Sequence, residues 1–173
     1  PRRHQYSANR ETVGRSQSQL RPQLSLFALM LNLPRSTLLT RLTYAALLPF
    51  GLLALLLWIV NADAHPFVAT GMLMYGAVIA SFLGGIQWGL AFSANEHDRN
   101  ADLLAGVALT LFAWVCAMMP PYAGLPLLGL VQVGSYAIDR KTWPAQGLSE
   151  WMTLRFRFTA LATFCCLIGA AAT

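Results

Sequence analysis

The sequence predicts an all-α integral membrane protein: a five-transmembrane-helix bundle, N-terminus inside and C-terminus outside, behind a basic N-terminal arm and a short interfacial helix. Three observations carry that expectation. Of 173 residues, 56% are apolar and only 11% charged, where soluble domains carry about 25% charged residues. Five apolar runs approach the ~20 residues that a helix needs to cross the hydrocarbon core. The basic residues, finally, fall on one side of the topology those runs define.

The elements follow in order. Residues 1–19 read as a polar arm, and the leader as a whole carries Arg2, Arg3, Arg10, Arg15 and Arg21 against the single acid Glu11. Acid-poor, arginine-rich leaders occur as organelle transit peptides and as arms resting on anionic lipid, at about 1 kcal/mol per basic residue near the surface. These arginines are therefore expected to contact lipid headgroups or a partner protein. Over residues 20–33, Leu20, Leu24, Phe27 and Leu31 recur at helical spacing and stop before Pro34. That pattern predicts an amphipathic segment lying in the inner interface, too short to span.

Residues 38–173 form the expected bundle, with spans at about 42–60, 67–92, 103–119, 123–138 and 152–172. The first reads "LTYAALLPFGLLALLLWIV". The third is closed by Pro120 and Pro121. The fourth is the weakest, holding Pro126 and Gln132, and charge parity decides it. All twelve Lys and Arg lie before span one, in the 93–102 loop, or between Asp139 and Arg157. Five spans put every one of them in the cytoplasm; a fourth segment that dipped in and returned would move Arg140, Lys141, Arg155 and Arg157 outside. Asp102 stands where an N-cap for span three belongs. Arg155 and Arg157 enter the start of span five, from which long stems snorkel to headgroups. No Asp, Glu, Lys or Arg is expected mid-membrane.

Span two holds "SFLGGIQWGLAF", residues 81–92. Each glycine there would weaken a helix in water by about 1 kcal/mol relative to alanine. In lipid, glycine instead admits a neighbouring helix to backbone contact. Ala77, Ser81, Gly85 and Gly89 form one stripe every four residues, and Gly76, Ala80 and Gly84 an adjacent one. Both are expected to pack, with span two as the central helix. Gln87 and Trp88 lie near the inner boundary and Gln132 lies in the inner half of span four. They are candidates for contact with a ligand or partner helix, and the two amides for contact with each other.

The stretch "YGAVIASFLGGIQWGLA", residues 75–91, with the basic loop after it and the later "LRFRF", resembles the transmembrane protein 69-like family. Its members are small multi-helix membrane proteins of bacteria and mitochondria, built around a domain of unknown function. The resemblance runs from about Leu38 to Gly169. It implies a bundle of this size and brings no catalytic residues.

Function classes narrow accordingly. His4, His65 and His97 are scattered, and His65 and His97 fall on opposite sides of the predicted membrane. No nucleophile–base arrangement, metal cluster or phosphate loop appears, so no enzyme is expected. Cys116, Cys165 and Cys166 lack metal or redox spacing and read as packing residues. Coupled carriers bury ionisable groups, and the spans hold only amides and hydroxyls. The expectation is a non-catalytic accessory subunit or assembly factor of a larger membrane complex, respiratory or photosynthetic. A small carrier or binder of a lipid or neutral solute is the alternative. No metal and no cofactor are expected, with a bound lipid or pigment left open. Partners would be membrane lipids and other membrane subunits, not nucleic acid. The bacterial inner membrane is preferred to the mitochondrial inner membrane.

Overall fold

A computed structural model describes residues 34–93 and 100–173, all of whose regular structure is helical. The predicted arm and interfacial segment, with Arg2, Arg3, Arg10, Arg15 and Arg21, lie outside the described residues. The helices are α1 (Arg35–Leu56), α2 (His65–Ser93), α3 (Asn100–Ala117), α4 (Pro121–Thr142) and α5 (Met152–Ala171). The chain divides into two units between Leu42 and Thr43. Among described residues the first holds Pro34 and the opening turns of α1, and the second holds the remaining bundle.

Among the described residues, four helices are long and apolar enough to cross a membrane: α1, α2, α3 and α5. The helix α4 is as long as α1, at 22 residues, but too polar to meet that criterion. Its polarity has a direction. The buried positions Gly124, Leu128, Gln132, Ser135 and Asp139 sit on one face, so Gln132, Ser135 and Asp139 point into the bundle, while Arg140 and Lys141 are exposed at its end.

Each of these faces follows the same rhythm. Helix α3 buries Asp102, Gly106, Leu109, Ala113 and Cys116, and α5 buries Arg155, Thr159, Ala162, Cys166 and Gly169. Steps of three and four, averaging 3.5 residues in α3 and α5, are the repeat that lets long helices stay in contact at a shallow crossing angle. Neighbours alternate in direction. Gly84 of α2 meets Gly106 of α3, Gly124 of α4 meets Cys116 of α3, and Gly129 of α4 meets Thr163 of α5. Helix α2 packs against α3, α4 and α5, as the centre of the bundle should. Helix α1 joins through side chains. Phe50 stands edge-on to Tyr75 with ring centroids 5.1 Å apart, and the Tyr75 hydroxyl donates to the Ala46 carbonyl at 2.8 Å, in the turn loosened by Pro49.

The connections are short and chemically specified. Asn61 accepts from the Ala64 N–H through its side chain and from the His65 N–H through its carbonyl, closing the turn that starts α2. Pro120 and Pro121 open α4, where a missing N–H costs nothing. Arg140 and Lys141 occupy its last turn, favourable to the helix dipole. Two 3₁₀ turns, Pro144–Gln146 and Ser149–Trp151, lead to α5, separated by Gly147 at φ 72°, a conformation that suits glycine. Helix α3 begins at Asn100, so Asp102 lies inside the first turn rather than at the cap.

The core divides along the helix axes. Toward the α3–α4 turn it is apolar, with Phe50, Met72, Leu73, Leu125, Leu128 and Cys166 all essentially inaccessible. Toward the α4–α5 link it is polar.

Candidate functional site

The polar half is a network on three helices. Asp139, one turn from the end of α4, pairs with Arg155, one turn into α5: Arg155 Nε donates to Asp139 Oδ2 at 2.5 Å. Arg155 Nη2 donates to Ser135 Oγ at 2.7 Å and Nη1 to Thr159 Oγ1 at 3.1 Å. Gln87 of α2 donates its amide N–H to the other carboxylate oxygen, Oδ1. The guanidinium also lies 5.9 Å from the Phe158 ring centroid. All five hydrogen-bonding residues are buried, with Gln87 wholly inaccessible and Arg155 6% exposed.

Two charges removed from water cost several kcal/mol each, and their attraction offsets this only with good geometry and partners for the remaining polar atoms. That geometry is present. The fork of Arg155 spends one nitrogen on each of three acceptors. The carboxylate takes one donor per oxygen. Helix α4 is thereby fixed to α5 by the ion pair and to α2 by Gln87.

Three nearby polar side chains are left unsatisfied by the protein. Gln132, two turns deeper than Asp139 on the same face and wholly buried, has no hydrogen-bond partner for either amide atom. Gln87 Oε1 is likewise unpartnered. Trp143 brings its indole beside the Asp139 carboxylate without meeting hydrogen-bond geometry. A buried amide without a partner costs about 1–3 kcal/mol, so these atoms stand out in an otherwise matched network.

The structure corrects three expectations. Arg155 does not reach toward headgroups; it is buried on Asp139, because α4 supplies a carboxylate at the same depth, while Arg157 is exposed. Ionisable groups therefore do enter the helical bundle. The amides of Gln87 and Gln132 do not bond to each other, since the carboxylate takes the Gln87 N–H. Of the two small-residue stripes, Gly76, Ala80 and Gly84 face the interior with Ala77, whereas Gly85 and Gly89 are exposed and have open space around them. The physical reason is the α2–α3 crossing. A Cβ on Gly84 would stand 2.6 Å from the Gly106 carbonyl oxygen and 2.9 Å from Thr110 Oγ1. Those two glycines set the contact, and the stripe one residue further round is turned outward.

Above that crossing lies an outward-facing apolar groove of about 270 Å³, bordered by half-buried Ser81, by Gly85 and Trp88 of α2, and by Gly106, Val107 and Leu111 of α3. Trp88 borders it, 41% exposed, with its indole N–H donating to the Leu103 carbonyl at 3.1 Å and its ring edge-on to Phe92.

Sequence reasoning named Gln87, Gln132 and Arg155 separately but missed the pair that organises them. The signal was present. Gln132, Ser135 and Asp139 are spaced three and four apart, Arg155 and Thr159 four apart, and the link between them is short enough to make a hairpin.

Comparison with known proteins agrees with this helical membrane architecture. Residues 35–171 match the family model described as "Protein of unknown function (DUF3429)". Over 133 residues, 73% of this chain, the sequence is 37% identical to Transmembrane protein 69 of Xenopus tropicalis, and the match spans about half (50%) of that relative's length. No solved structure matches. The chain belongs to the transmembrane protein 69-like family that carries the DUF3429 domain.

Proposed function

We propose that this chain is a non-catalytic accessory subunit or assembly factor of a larger membrane complex, in the class of small helical proteins that respiratory and photosynthetic assemblies collect. The observation that carries the reading is the outward glycine face of α2. Glycine on a lipid-facing helix contributes no side-chain packing, and its use is the close approach of another helix. At Gly84 that approach is made by α3. At Gly85 and Gly89 the space is open, beside the groove bordered by Trp88. The buried network supports the same reading, because its charges are spent on holding the chain's own helices together.

The bundle is read as five spans, N-terminus inside and C-terminus outside. Helix α4 supports this by running alongside α3 and α5 over their length, from Gly124 beside Cys116 to Asp139 beside Arg155. The bacterial inner membrane is the preferred location and the mitochondrial inner membrane the alternative. A small binder or carrier of a lipid or neutral solute is the second reading, and the apolar groove is what favours it.

The test is to tag the C-terminus, extract native membranes in mild detergent, size the particle and identify its proteins by mass spectrometry. A large particle of constant composition is expected. Gly85→Leu should abolish it while the chain itself still folds. A monomer of its own mass, unaffected by Gly85→Leu, contradicts the subunit reading and leaves the lipid-binding one.

A further inference from the structure

We propose that the polar half of the bundle is a blind, water-binding site, entered from the end that carries the α4–α5 link and terminating at Gln132. Three observations converge on it. The first is the set of unfilled hydrogen-bonding groups. Gln132 has an unpaired carbonyl and an unpaired NH₂, and Gln87 an unpaired carbonyl, all in wholly buried side chains. Arg155 has five N–H donors and the protein takes three. The hydroxyls of Ser135 and Thr159 accept from Arg155 and keep their own protons to donate.

The second is their arrangement. Gln132, Ser135 and Asp139 form one file along α4, with Trp143 a turn beyond. From Gln132 to the end of the helix at Thr142 is about 15 Å at 1.5 Å per residue, half the thickness of the hydrocarbon core. The file therefore leads from the helix end to mid-depth.

The third is where it stops. The next inward positions on α4 are Leu128 and Leu125, both wholly buried, facing a core of Phe50, Met72, Leu73 and Cys166. The side chains of Leu128, Leu125, Phe50, Met72 and Leu73 offer no hydrogen bond to water, and the Tyr75 and Thr163 hydroxyls at this level donate to backbone carbonyls, so the file of unfilled polar groups closes at Gln132.

The chemistry of the groups selects the ligand. The charges cancel within the Asp139–Arg155 pair, which disfavours a bare ion. The unfilled groups include both donors and acceptors, and water supplies both in a volume that buried polar sites accommodate when two to four partners surround it. Hydration also lets solvent reach the ion pair from one side of the bundle.

The full chain, uniformly ¹³C- and ¹⁵N-labelled and reconstituted in lipid bilayers, would be studied by water-edited solid-state NMR. The Gln132 side-chain amide is expected to receive magnetisation from water at the short mixing times that serve link residues 144–150, with the Gln87 amide alongside. Signals of Leu128 and Cys166 should stay dark at those times. The Gln132 signal is assigned by its loss in Gln132→Met, or by selective labelling if that variant does not fold. A Gln132 amide as dark as Leu128 overturns the proposal, and so does water reaching Leu125 and Cys166, which would make the site a through-path. Thermal unfolding gives a second readout. Gln132→Met should leave the midpoint unchanged or lower it, whereas a raised midpoint means the amide is dry.

Discussion

Arg155 is the residue on which three helices meet, and its removal should show the asymmetry of a buried pair. Arg155→Met leaves the Asp139 carboxylate buried with only the Gln87 N–H for company, and a loss of about 3–5 kcal/mol is expected from such a broken pair. Asp139→Leu strands the guanidinium and should cost a similar amount. The double variant removes both charges and should recover most of the loss. Unfolding of the purified protein in mixed micelles, read as a double-mutant cycle, checks this. Additive losses would mean that the pair is not energetically coupled. Ser135→Ala and Thr159→Ala each remove one acceptor from the buried Arg155 cation, and a loss of about 1.5–3 kcal/mol apiece is expected on the same assay.

At the scale of the element, the crossing of α2 and α3 is set by two glycines facing each other. A methyl group on Gly84 would press on a backbone carbonyl and on Thr110 Oγ1, neither of which can swing away as a long side chain would. Gly84→Ala is therefore expected to cost about 1–3 kcal/mol, the usual range for overpacking. Gly85→Ala, one residue along and open, should be neutral within the chain or slightly stabilising. The comparison is made on the isolated protein by thermal unfolding, and equal effects at the two positions would contradict the assigned crossing.

The same helix shows what was legible in the sequence. Its length, its central place and the presence of a small-residue face followed from composition and spacing alone. Which of two adjacent stripes turns inward did not, because Gly84 and Gly85 differ by 100° of helix rotation and the decision belongs to Gly106 on another helix. The ion pair was hidden for a related reason. Arg155 at the start of an apolar run reads as a snorkelling residue until the partner helix is seen to present Asp139 at its depth. Helix boundaries near Pro and charged residues were read to within a few residues, except that α1 starts several residues before the apolar run, since its first turns are polar but helix-competent.

At the scale of the whole molecule, α4 is the deciding element. It is too polar to be recognised as a span by hydropathy, yet every buried polar group on it faces the other helices. Such a helix is stable in a bilayer only as part of the bundle, with Asp139 neutralised by Arg155, and on this view its polarity marks an interior element rather than a surface one. On the proposed five-span reading, the α4–α5 link, with Arg140 and Lys141 beside it, lies on one side of the membrane and the Pro120–Pro121 turn on the other.

The most direct measurement of that claim is topological. Single cysteines placed at Met119 and at Ala145, in a chain with Cys116, Cys165 and Cys166 replaced by alanine or serine, would be labelled by a membrane-impermeant maleimide on sealed vesicles of known orientation. The account predicts that the two positions react from opposite sides, Ala145 from the cytoplasmic face. Labelling of both from one side would show that α4 does not cross, and would contradict the five-span bundle and the role assigned to its buried ion pair.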